Sequence, residues 1–187
     1  SEAGLLTPVT HIVNNVADLR HFISGGSIIT KTIKEPFFIN DDDCIYSMYT
    51  KVIDDSITNL LPEFFVPSLI QAKVEKDFEI RIFFIDGKFF PMAIFSQNDM
   101  KTAVELREYN FDKFNRCVPY VLPDHIIEKL KSLMGGLGLN CGSIDLIKDK
   151  KGNFIFLEVN PNGQFGMVDF PCNYNLHKLV AETIINA

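Results

Sequence analysis

The sequence predicts an α+β fold of two strand-dominated halves. Three observations lead there. Short apolar runs punctuated by turn residues dominate the 187 residues. Three amphipathic segments with helical spacing are interspersed among them rather than alternating strictly with them. A composition with 17 Phe and no Trp suits sheet-rich packing. The length accommodates two small subdomains, and the 47% apolar, 22% charged composition is that of an ordinary globular chain.

Taken in order, "NNVADLRHFI" offers Asn side chains able to cap a helix, followed by Val16, Leu19, Phe22 and Ile23 at helical spacing. Gly25 and Gly26 end it, and "SIITKTI" reads as a strand. "FFIN" and "CIYSMYTKV" continue as strands around Asp41-Asp42-Asp43, "DDSITNLL" reads as a short helix or turn, and Pro62 and Pro67 bracket a connection. That connection is the expected boundary, giving subdomains 1–67 and 68–187. "SLIQAKV" opens the second half. "FEIRIFFIDGKFFPMAIF" is a hairpin through Asp86-Gly87, a favoured two-residue turn. "PDHIIEKLKSLMGG" is a helix with Pro123 near its start and Gly135 as its stop. "SIDLIKDKKGNFIFLEVN" is a second hairpin, and "LHKLVAETII" a closing helix.

Several function classes are disfavoured. A net charge of −6 is wrong for a general nucleic-acid binder, which needs clustered Lys and Arg against phosphates. No apolar run approaches the ~20 residues that span a bilayer. The opening residues lack the basic and apolar regions of a signal peptide. Cys44, Cys117, Cys141 and Cys172 are scattered without a C-x-x-C pair, which reads as reduced thiols in a cytoplasmic protein. The Gly-rich "GGLGLNCG" lacks the G-K-[ST] ending of a phosphate loop and reads as a helix cap and turn. His11, His21, His125 and His177 show no ligand spacing and read as structural or surface residues.

The second hairpin carries chemistry. Residues i and i+2 of a strand share a face, so Glu158 and Asn160 point one way, with Leu157 and Val159 on the other side. With Lys150–Asn153 as the loop, Asp149 pairs with Phe154 and Asp145 falls opposite Glu158. Two carboxylates across a ladder lie about 5 Å apart and repel. A divalent cation resolves that conflict, and two carboxylates with an amide oxygen suit Mg²⁺. The alternative is an acidic pair on the solvated face of a hairpin.

"GSIDLIKDKKGNFIFLEVNPNGQF" resembles the metal-binding hairpin of the ATP-grasp ligases, and the resemblance extends over essentially the whole chain. "EAGLLTPVTHIVNN" is similar to the start of their central subdomain, "SIITKTI" to the strand with a phosphate-contacting lysine, and "LIQAKVEKDFEIRIFFIDGK" to the adenine hinge and following strand. "LEVNPNGQF" and "PCNYNLHKLVA" resemble the peptide-maturing branch, the graspetide ligases. The resemblance implies two antiparallel-sheet subdomains without the family's N-terminal domain. It implies a cytoplasmic ligase that uses ATP and one or two Mg²⁺ ions and makes ester or amide links in a precursor peptide. Neither nucleic acid nor membrane is a partner, and a homodimer is possible. A ligase adding glutamate or another amino acid to a protein tail and an inactive nucleotide- or peptide-binding fragment are the alternatives.

Position by position, the resemblance assigns Asp145, Glu158 and Asn160 to metal and Lys31 to the ATP phosphates. Gln71, Ala72, Lys73 and Val74 match the adenine hinge and Glu79 the ribose-facing acid. Arg81 and Arg107 match the arginines near the transferred phosphoryl group. Lys31 as a solvated edge charge and an Arg81–Glu79 cross-link are the competing readings. Gln71-Ala72 replaces a usual Gln-Glu, and Glu105-Leu106-Arg107 an often-seen Asp-Trp-Arg. Asn173 and Asn175 are expected as caps of the last helix.

Overall fold

The computed structural model describes residues 3–33, 38–41, 44–47, 50–98 and 114–186. Of these, 38–41 and 44–47 are described by backbone only. The described chain divides into two compact units.

The smaller unit is drawn from Pro8–Val74. Its four-stranded antiparallel sheet has the order β1(Thr10–Asn15), β6(Phe64–Ala72), β2(Ile28–Lys31), β5(Lys51–Ile53). Helix α1(Val16–Ile23) follows β1 directly. Asn15 is its N-cap, accepting the Asp18 N–H at 2.9 Å, as the sequence predicts. The buried Leu19 of α1 packs with Val13, Ile28, Ile53 and Ile70 of the sheet. A short helix, α2(Asp55–Thr58), and a two-stranded ribbon, β3(Phe38–Asp41) with β4(Cys44–Ser47), complete the unit.

The expected break at Pro62–Pro67 is instead traversed by β6, which contains Pro67. A proline removes a ladder donor and belongs at irregular pairing. Here the β1–β6 register slips, with Val13 opposite Ser68 but Asn15 opposite Phe64, so Pro67 sits where the ladder is interrupted. The division into units falls after Val74.

The larger unit contains residues 3–7, 75–98 and 114–186. Its antiparallel sheet has the order β11(Phe154–Asn160), β10(Cys141–Asp149), β7(Lys76–Ile85), β8(Lys88–Ile94), β9(Cys117–Pro119). The β7–β8 turn is the predicted Asp86-Gly87, with φ of 47° and 76°, as a primed two-residue turn requires.

One sheet face is the core. Ile80, Ile82, Ile144 and Leu146 are sealed there under Ile126, Leu130 and Met134 of α3(Asp124–Gly136). The helix runs past Gly135 to Gly136, and Gly138 at φ 66° follows its C-cap Leu137. The left-handed position, not the first glycine, marks the stop.

Among the described elements, β1, β9, the 3-10 turn Ser96–Asn98 and α4(Gly166–Cys172), whose Pro171 disguises a helix, escaped the sequence reading. The predicted last helix is α5(Leu176–Ile185). Among the described residues, no helix is long and apolar enough to cross a membrane.

Candidate active site

The second face of the larger sheet is divided. Towards one end, Phe83 of β7 meets Phe165 with ring centroids 5.6 Å apart, and Phe90 of β8 meets Tyr174 at 5.6 Å, beside α4. Towards the other end the same face turns polar. Glu79 and Arg81 of β7, Asp145 and Ser143 of β10, and Glu158 and Asn160 of β11 share it, as the ladder registers require.

The hairpin reaches this arrangement by a different route from the one its sequence suggests. Phe154 pairs with Lys148 rather than with Asp149. Continued regularly, that register would set Leu157 opposite Asp145 and turn Glu158 onto the face of Phe154 and Phe156, which pack into the core. Burying an unpaired carboxylate there would cost several kcal/mol. A bulge between Asp145 and Leu146 inserts Leu157 as an extra residue and puts Glu158 opposite Asp145 and Asn160 opposite Ser143. Val159 packs on the core as expected, whereas Leu157 is the bulged residue.

Asp145 is the electrostatic centre. Arg81 Nη1 donates to both of its oxygens, at 3.2 and 3.0 Å. The two side chains retain only 12% and 22% exposure. Burial pushes the Asp145 carboxyl from 3.8 up to about 6. Arg81 opposes the rise, and the Glu158 and Glu79 charges add to it. Burial is the main cause of that rise, and with Glu79 paired to Lys76 the face still carries one carboxylate more than its cations. A hard cation would relieve that excess, and two carboxylates with an amide oxygen on one face are its ligand chemistry. Among the described residues, no three His, Cys, Asp or Glu side chains cluster as a metal site, so the amide of Asn160 is the third donor available. Its Oδ1 accepts the Asn162 N–H at 3.2 Å, which ties the amide to the turn after β11. Gly142 and Gly163 let that turn lie close. A Cβ on Gly163, at φ 47°, would stand 3.1 Å from Phe83 and 3.3 Å from Gly142.

The Arg81–Glu79 cross-link of the competing reading does not form. Glu79 Oε1 instead accepts from Lys76 Nζ at 2.5 Å and Ser96 Oγ at 2.6 Å. No sequence signal marked Lys76 and Ser96, because their meeting depends on the segment after β8 folding back over β7. Arg81 Nε and Ser143 Oγ are buried without a hydrogen-bond partner among the described residues.

The remaining assignments lie in the smaller unit or outside the described residues. Lys31 ends β2, half-buried, opposite Leu69, on the sheet face away from Ile28 and the core. No described carboxylate pairs with it. Along the hinge, the Ala72 and Lys73 N–H groups are taken by Val9 O and Ser27 O at 2.9 Å each. The Gln71 amide donates across the ladder to Thr10 Oγ1 at 2.8 Å. Val74, in the connection between β6 and β7, therefore keeps the hinge N–H without a backbone partner among the described residues. Arg107 lies outside the described residues.

Solved structures match this arrangement over nearly the whole chain. The macrocyclase MdnC of Microcystis aeruginosa, bound with precursor peptide MdnA, is 29% identical with a TM-score of 0.83. The match takes in all of this chain and 56% of that one. The fold is that of the ATP-grasp ligases. A Chryseobacterium gregarium RiPP-associated ATP-grasp ligase, in complex with ADP and a leader and core peptide, gives a TM-score of 0.82 at 24% identity, over 90% of this chain and 51% of that chain. The ATP-grasp ligase PsnB with minimal precursor, Mg and ADP gives 0.75 at 17%, over 99% and 54%. This chain thus spans about half the length of the ATP-grasp structures it matches. No family model and no curated protein matches it.

The expected α+β architecture with two antiparallel sheets is therefore borne out, and so is the likeness to peptide-modifying ATP-grasp ligases. Sequence reasoning missed Asp169. Asn175 is the N-cap residue of α5 as expected, but through left-handed backbone at φ 58° rather than a side-chain bond, whereas Asn173, at φ 54°, ends α4. Asp169 supplies the side-chain bond to α5 instead, accepting the Leu176 N–H at 2.9 Å, and its other oxygen lies 2.5 Å from His177 Nδ1.

Proposed function

We propose that this chain is the nucleotide- and metal-binding part of an ATP-grasp ligase that condenses a carboxylate with a hydroxyl or amine on a ribosomally made precursor peptide. The observation that carries the reading is the shared face of Asp145, Glu158 and Asn160 beside Arg81. It occurs in a fold shared over the full chain with a macrocyclase bound to its precursor.

In the proposed reaction a substrate carboxylate oxygen attacks the γ-phosphorus of ATP, and ADP leaves with the bond electrons. The acyl-phosphate is then attacked by a hydroxyl or amine, and phosphate departs. Phosphoryl transfer asks the protein for positioning and charge neutralisation more than for covalent chemistry. Asp145, Glu158 and Asn160 hold Mg²⁺, one ion or two, which neutralises phosphate charge when bound. Arg81 holds the Asp145 carboxylate in place and presents positive charge on the same face. Lys31, half-buried and without an acidic partner among the described residues, serves the phosphates, and Arg107 the transferred group. The Gln71–Val74 hinge takes the adenine through the Val74 N–H and nearby carbonyls, and Glu79 sits towards the ribose. Cys117, Cys141 and Cys172 are free thiols, in keeping with a cytoplasmic setting.

The test uses the complete protein with Mg-ATP and the peptide encoded by an adjacent short reading frame rich in Ser/Thr and Asp/Glu. Mass spectrometry is expected to show loss of one water per bond formed, abolished by Glu158→Gln. A gain of amino-acid mass would instead identify a tail-extending ligase, and no change without ATP turnover would identify a binding remnant.

A further inference from the structure

One polar side chain on the face of the metal donors has no task in the reaction above. Ser143 of β10 is fully buried, at 0% exposure, and its Oγ has no hydrogen-bond partner among the described residues. A hydroxyl sealed from water without a partner destabilises a fold, and native structures keep few of them. Alanine would fill nearly the same space without that cost.

The ladder registers define what surrounds this hydroxyl. On one side Ser143 faces Phe83 of β7, whose side chain has no polar atom. On the other it faces Asn160 of β11, on the sheet face that Asp145 and Glu158 share. Residues directly opposite in an antiparallel pair have Cβ atoms about 4.5–5.5 Å apart, a span that a hydroxyl and an amide bridge by small side-chain rotations. The strands are close here: a Cβ on the neighbouring Gly142 would stand 3.1 Å from the Asn160 carbonyl oxygen. Arg81 Nε is also buried without a partner, but two bonds from Nη1 to Asp145 fix its guanidinium.

Asn160 has a matching need. Its Oδ1 accepts the Asn162 N–H at 3.2 Å, while its Nδ2 makes no bond among the described residues. An amide serves a cation only through its oxygen; turned half a rotation, it presents its NH2 hydrogens and repels the ion. A carboxylate has no such wrong end. The Asn162 N–H fixes half of the required orientation by marking the oxygen. An acceptor for Nδ2 fixes the other half.

We propose that Ser143 is a positioning residue of the metal site: with Mg²⁺ bound, its Oγ accepts from Asn160 Nδ2 and holds Oδ1 towards the ion. This rests on the metal-binding reading above. Ser143 itself touches neither metal nor substrate, and it acts through the one donor of the three that has a wrong orientation.

The test is calorimetry of Mg²⁺ binding to the complete protein saturated with ADP, alongside thermal unfolding in the absence of Mg²⁺. Partners that orient metal ligands contribute about 10–100-fold in affinity. Ser143→Ala is expected to weaken Mg²⁺ binding about 10-fold. Its Tm without Mg²⁺ is expected to equal or exceed that of wild type, because the substitution removes a buried, unpaired hydroxyl. In an Asn160→Asp background either oxygen can face the ion, so Ser143→Ala is expected to change Mg²⁺ affinity by no more than about twofold. Unchanged affinity in Ser143→Ala overturns the proposal. A similar loss in both backgrounds also overturns it and assigns the hydroxyl to Arg81 instead. A loss of affinity accompanied by a clear fall in Tm without Mg²⁺ overturns it as well, since the hydroxyl would then support the fold. Wild-type protein that binds no Mg²⁺ with ADP overturns the metal site itself and this proposal with it.

Discussion

The two hairpins of the larger sheet begin from similar sequence and end differently. Strands β7 and β8 join through Asp86-Gly87 and pair without interruption from Ile85–Lys88 to Glu79–Ile94. Strands β10 and β11 join through a four-residue loop and carry a bulge midway. Apolar side chains predominate on both faces of the regular hairpin beyond Arg81, so any one register satisfies it and the tight turn chooses. The bulged hairpin must bury Phe154, Phe156 and Val159 while keeping Glu158 and Asn160 out. A strict period of two cannot do that with Phe156 and Glu158 sharing parity. The single extra residue reconciles packing with chemistry, and it falls at the one rung where two carboxylates face each other.

Deleting Leu157 tests this most severely. Removing the extra residue sets the Glu158 carboxylate against the core face or forces the strand to slip. Either outcome is expected to remove the thermal shift given by Mg-nucleotide and to lower product formation at least about 100-fold. Scanning fluorimetry with and without Mg-ATP reads the first effect. A deletion variant with an intact shift would mean that the bulge is incidental.

Asp145→Asn separates stability from function at the same rung. Its expected loss is more than about 100-fold in Mg-dependent nucleotide affinity, measured by calorimetry. Stability is expected to move the other way. The folded-state value of about 6 lies above the ordinary 3.8, so the fold favours the protonated acid. That stabilisation is fully present below about pH 4 and is lost as pH rises through 6. Wild-type unfolding midpoints in the absence of Mg²⁺ should therefore fall from pH 4 to pH 7 relative to Asp145→Asn. The asparagine variant should be at least as stable as wild type at pH 7. Parallel curves for the two proteins would show that Asp145 sits comfortably charged, and the argument for a cation there would lose its electrostatic support.

The smallest effect belongs to the regular hairpin. Gly87→Ala places a Cβ in open space but at φ 76°, where an L-residue is strained. The expected cost is about 1 kcal/mol in urea unfolding, with nucleotide affinity unchanged. A change in nucleotide affinity would mean that the two hairpins are coupled more tightly than their separate registers suggest.

Much of this was legible beforehand where neighbours in sequence are neighbours in space. The Asn15 cap, the Asp86-Gly87 turn and helices α1, α3 and α5 are local, with periods of 3.6 or 2 and punctuating turn residues. Asp145 facing Glu158 was also legible, although the register behind it was not: the loop count assumed Asp149 opposite Phe154, and the bulge restored the pair. Helix α4 stayed hidden because Pro171 argues against a helix, and β9 because three residues carry no period.

The sequence by itself determined the alternation of apolar strands with amphipathic helices and the presence of Asp145, Glu158 and Asn160 in one hairpin, since these follow from side-chain type and short spacing. Only the tertiary structure decided that Arg81 meets Asp145 across 64 positions, that Ser96 and Lys76 take up Glu79, and that Asp169 turns to His177. Such partners are chosen by the packing of separate elements around a shared core, and residue order along the chain carries no record of that choice.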